Sequence, residues 1–117
     1  MGWTNYKEMI VWQKAVDLVE EIYRLTKLLP PEERFSLANQ MCRAAVSVPS
    51  NIAEGDGRQT DKELKQFLHV AKGSLSELET QLMICHRIDY LTEAQTEKAI
   101  SLCDEVRRML SKLIQTY

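Results

Sequence analysis

Breakers of regular structure are scarce in this chain, with three prolines and four glycines in 117 residues. Cysteine is equally sparse. Cys42, Cys85 and Cys103 are odd in number and show no Cys-x-x-Cys spacing, which argues against a disulfide framework and against a zinc finger. Reduced, buried thiols are the expectation. Neither sign of charge dominates: fifteen Lys plus Arg stand against seventeen Asp plus Glu, a formal charge of -2. The basic surplus of proteins that coat DNA is therefore missing, and any nucleic-acid contact has to come from a local patch. No run approaches the ~18 apolar residues that span a bilayer. Met1 to Tyr6 lacks the basic start and apolar core of a signal peptide. The expected protein is cytoplasmic and has no membrane partner.

Catalytic signatures are missing too. There is no Gly-x-Ser-x-Gly, no Walker loop and no dinucleotide fingerprint after a strand. A di-iron bundle needs Glu-x-x-His on two helices, but Gln66 and Met83 stand three residues before His69 and His86. Cys85 and His86 are adjacent and point about 100° apart on a helix, so they do not start a zinc site. The sequence predicts a non-enzyme without metal, cofactor or small-molecule substrate.

What the chain does have is helical periodicity from end to end. Val11, Ala15, Leu18, Ile22, Leu25 and Leu29 recur in steps of four and three, with Trp12, Val16, Val19 and Tyr23 as a second apolar row. Pro30-Pro31 stops this helix, because the residue before a proline is driven out of the helical region. Leu37, Met41, Ala44, Ala45, Val48 and Ile52 mark a second helix, interrupted by Pro49 at a cost of ~3 kcal/mol without compensation. That proline predicts a kink near Ala45, and Gly55 is expected as a left-handed C-cap. Thr60 and Glu63 match a capping box ahead of the unbroken seam Leu64, Leu68, Ala71, Leu75, Leu78, Leu82, Cys85. Thr92 and Gln95 repeat the box before Ala99, Leu102, Val106, Met109 or Leu110, and Leu113. The predicted helices cover roughly 9-29, 36-54, 61-87 and 93-115 of a single domain, 1-117. Short links make the fold an all-α, antiparallel up-down-up-down four-helix bundle. The width of the first helix's apolar face predicts contact with another subunit.

Three surfaces stand out within that frame. Arg58, Lys62, Lys65, His69 and Lys72 fall at steps of four, three, four and three, a basic row on the third helix. It is either a solvated face or a site for phosphate backbones. Ser47, Ser50 and Asn51 around Pro49 form a second candidate surface, or they satisfy carbonyls freed by the proline. Gly73-Ser74 either touches a ligand or permits close helix approach.

The strings Val11-Trp12-Gln13-Lys14-Ala15, Glu33-Arg34-Phe35, Arg43 to Gly55 (Arg-Ala-Ala-Val-Ser-Val-Pro-Ser-Asn-Ile-Ala-Glu-Gly) and Gly73 to Leu82 resemble the bacterial four-helix-bundle family encoded in intervening sequences of 23S ribosomal RNA genes, also labelled S23 ribosomal proteins. The resemblance runs from about Val11 to the C-terminus. It implies a homo-oligomer, with ring-shaped pentamers among similar proteins. It also implies kinship with the accessory variability determinant of diversity-generating retroelements, which works with a reverse transcriptase and RNA through a basic surface. The family transfers no catalytic residues. The resulting expectation is a non-catalytic homo-oligomeric scaffold or adaptor that contacts RNA or a ribonucleoprotein. The alternative is a protein-only interaction module.

Overall fold

The computed structural model describes residues 5–117. The N-terminal reading at Met1 to Thr4 lies outside them. A 3-10 turn at Tyr6–Glu8 leads into α1 (Ile10–Thr26), and a second 3-10 turn at Pro31–Glu33 leads into α2 (Leu37–Asp56). Two longer helices follow, α3 (Asp61–Arg87) and α4 (Glu93–Thr116). No strand occurs among the described residues.

Each helix packs against its neighbours in the chain, and α1 closes against α4, which leaves the diagonal pairs apart. Cross-helix pairs give the directions. From α2 to α3, Ser47 meets Ser74 and Met41 meets Cys85. From α3 to α4, Glu79 meets Arg107 and His86 meets Thr96. In both series residue numbers rise on one helix as they fall on the next, so α2, α3 and α4 alternate in direction. The bundle measures 45 × 24 × 20 Å.

The core is made of the stripes read from the sequence. Every member of the α3 seam from Leu64 to Cys85 is buried, as are Val11, Ala15, Leu18, Ile22 and Leu25 of α1. The second apolar row of α1 is partly used inside the same chain, because Trp12 and Val19 pack onto this core. Only Tyr23 of that row is well exposed. Trp12, Val16 and Val19 stay half-exposed, so the chain itself covers this face only in part.

Helix ends follow local chemistry. Thr92 and Gln95 form the full capping box, each side chain accepting the other's backbone N–H. At α3 only half the box forms: Thr60 Oγ1 accepts from Glu63 N, but it donates to Glu63 Oε1, so that carboxylate does not reach the Thr60 amide. The end of α3 is a Schellman arrangement, with Tyr90 N donating to Cys85 O and Asp89 N to His86 O. Asp89 takes the left-handed conformation there, at φ 64°.

Three local expectations fail. Gly55 is not a left-handed cap, for α2 continues through it to Asp56 and no described glycine has positive φ. Its hydrogen is needed where α2 meets α3: an added Cβ would lie 2.9 Å from Leu64 Cδ1 and 3.2 Å from Phe67 Cβ. Gly73 permits no close approach, since a Cβ there would have nothing within 4 Å. Arg58 is not on α3 at all, because the helix starts at Asp61. The α2 helix itself remains continuous through the buried Pro49.

Candidate nucleic-acid interface

The start of α3 carries the basic row. Lys62 and His69 are exposed, while Lys65 and Lys72 are half-buried along their stems, as expected for long side chains that lie on apolar surface with the charge in water. Helical spacing sets these four on one side of α3, and Lys62 and Lys72 stand about 15 Å apart along the axis at 1.5 Å per residue. None of the four has an ion-pair partner among the described residues.

Arg58 behaves differently. From the link before α3 its guanidinium lies 2.6 Å from Glu54 Oε2 and 4.6 Å from the centre of the Phe67 ring. Both contacts fix it as a clamp over the junction of α2 and α3, and they cover one face of Phe67. The structure therefore brings together Lys62, Lys65 and Lys72 as unpaired cations among the described residues, with His69 in the same row, and turns Arg58 toward its own chain. An anion could be held there by several point charges, without a bidentate fork and without an open aromatic face.

The Ser47, Ser50 and Asn51 surface resolves into a packing device. Ser74 Oγ donates to Ser47 Oγ at 2.8 Å, and Asn51 Nδ2 donates to Ser47 O at 2.7 Å and to Ser47 Oγ at 2.9 Å. The carbonyl that loses its donor to a proline at 49 is that of Ala45, so Asn51 does not replace the lost bond as anticipated. It anchors Ser47, which bridges to α3. Ser50 points outward, exposed.

The cysteines divide by environment. Burial pushes the Cys103 thiol up to about 12, with Glu79 adding to the shift. Cys85 is also raised, first by burial and then by Glu33. Cys42 is half-exposed, contrary to the expectation that all three thiols are core. No group of three or more His, Cys, Asp or Glu that could hold a metal occurs among the described residues. Among the described residues no helix is long and apolar enough to cross a membrane.

Sequence reasoning missed a groove between α1 and α2. Its two adjoining parts, about 640 and 370 Å³, share Tyr23, Asn39 and Cys42; Lys27 and Arg34 line the larger part and Arg43 the smaller. These residues come from two helices and a turn, so no linear spacing joins them. The only sequence signal was Glu33-Arg34-Phe35, where Arg34 now lies 5.4 Å over the Phe35 ring.

Comparison with known proteins agrees with the four-helix fold. The family model described as 23S rRNA-intervening sequence protein matches residues 7–112. A crystal structure of a protein of unknown function from the S23 ribosomal protein family of Bacteroides thetaiotaomicron is similar, with a TM-score of 0.83 and 26% identity. The match covers 90% of this chain and 98% of that one. No curated protein is a significant match.

Proposed function

From the premise that this chain belongs to the family of 23S rRNA-intervening sequence proteins, we propose that it is a non-catalytic, homo-oligomeric scaffold that contacts RNA or a ribonucleoprotein. The observation that carries the RNA part is the row Lys62, Lys65, His69 and Lys72, whose side chains have no acidic partner among the described residues. Repetition of this row around a closed assembly turns a modest local charge per subunit into a multivalent band, which acts locally although each subunit also carries its net charge of -2. Each cation that meets a phosphate releases counterions, so binding weakens with salt at a log–log slope of about -0.7 per phosphate on single strands.

Fluorescence anisotropy of labelled RNA at rising salt tests this reading, comparing wild type with Lys62→Glu/Lys65→Glu/Lys72→Glu at matched oligomeric mass. The variant is expected to bind more weakly and with a shallower salt slope. Equal titrations, or no binding by wild type at low salt, reject the row as a contact.

A protein-only module is the second reading. Val70, Met83, Ile84 and Ile88 favour it, because they leave apolar side chains exposed along α3 and the link after it.

A further inference from the structure

We propose that the groove between α1 and α2 is a second binding site, for a short single-stranded stretch of nucleic acid. Three observations converge on that occupant. Lys27, Arg34 and Arg43 line the groove, no acidic side chain does, and none of the three cations is in an ion pair among the described residues. Of the acids flanking the groove, Glu21 pairs with Arg24, and Glu33 accepts from the Tyr90 hydroxyl at 2.8 Å and from the Leu37 amide, while Glu32, next to Pro31, is exposed and lies outside the lining. In a chain with more acids than bases, a groove lined by cations alone selects an anion.

Flat aromatic surface distinguishes this groove from the α3 row. Tyr23 lines both of its parts and is 47% exposed, and Phe35, the chain neighbour of Arg34 but not itself in the lining, is 85% exposed. Such rings are sequence-tolerant platforms for unpaired bases, and a guanidinium already stacked on one offers a further plane. Asn39 adds an amide that can donate and accept at a base edge. The volume falls in the range of small-ligand sites, and an exposed ring can stack only on a base that is not already paired and stacked in a duplex. This site is independent of the α3 row, so either can fail alone.

Cys42 lies in both parts of the groove and is half-buried, whereas Cys85 and Cys103 are fully buried. Its alkylation by neutral N-ethylmaleimide therefore reports occupancy without any substitution. A ten-nucleotide oligoadenylate at low salt is expected to slow Cys42 alkylation several-fold, in wild type and equally in Lys62→Glu/Lys65→Glu/Lys72→Glu. Tyr23→Ala should weaken that protection roughly tenfold or more in oligonucleotide concentration, as expected for one lost stack, and Tyr23→Trp should restore it. Lys27→Gln/Arg43→Gln should make the log–log salt slope shallower by about 1.4, two phosphates' worth. Melting of each variant at the wild-type temperature shows that the bundle is intact. An unchanged Cys42 rate in wild type overturns the proposal. So does protection that vanishes in the α3 triple variant, or that a duplex or polyglutamate gives equally well. A Cys42 that is unreactive in the free protein overturns it as well, since another copy then covers the groove.

Discussion

At the scale of single residues, two glycines inside helices have opposite surroundings. Gly55 sits where α2 meets Leu64 and Phe67, whereas Gly73 faces open space. Alanine favours a helix over glycine by about 0.5–1 kcal/mol. Gly73→Ala should therefore raise the urea midpoint by about that stability. Gly55→Ala should lower it by about 1–2 kcal/mol, because displacing Phe67 and Leu64 outweighs the helical gain. Shifts of the same sign would mean that the contact between α2 and α3 at this end is looser than described.

Glu21 is a second residue whose surroundings decide its chemistry. It is only 5% exposed, and hydrogen bonds from Arg24 hold its carboxyl below the usual range, against burial and with Lys98 of α4 assisting. A depressed carboxylate contributes stability above its unfolded value, about 4.3, and loses it as pH falls through the folded value. Glu21→Gln should thus be less stable than wild type at neutral pH, and the gap should narrow on acidification below about pH 4. Denaturant titrations between pH 3 and 7 measure this, and a constant gap would show that the ion pair does not set the acid limb.

Among the elements, α3 was the most legible, since its bounds and its whole buried seam agree with the spacing of leucines between a threonine cap and an aspartate-led link. Leu78 is fully buried in that seam. Leu78→Ala is expected to cost about 2–5 kcal/mol through lost burial and a residual cavity, and an unchanged thermal midpoint would place the seam outside the core. The α2 helix was harder to read. Its end depended on whether Gly55 would turn or pack, and that was decided by Leu64 and Phe67 of the next helix. The α1 stripe was legible as apolar, but not as internal, because the partners of Trp12 and Val19 lie in the core formed with other helices.

For the whole molecule, the bundle buries its own stripes and leaves Val70, Met83 and Ile88 exposed, each by about half or more of its surface. A closed homo-oligomer that covers part of this surface is expected. Gel filtration coupled to light scattering should give a multiple of 13.5 kDa at micromolar concentration, and a monomer mass would reject the assembly.

The linear order of apolar residues, caps and prolines by itself determined four helices, their approximate ends and the side each buries, because a helix repeats every 3.6 residues and its end signals are local. The basic row on α3 was readable for the same reason, being carried on one helix. Only the tertiary structure decided that Arg58 clamps Phe67, that Ser74 meets Ser47, and that Tyr23, Arg34 and Arg43 line one groove. Each of these depends on the rotation and register of one helix against another, set by side chains far apart in sequence that must fill the same space.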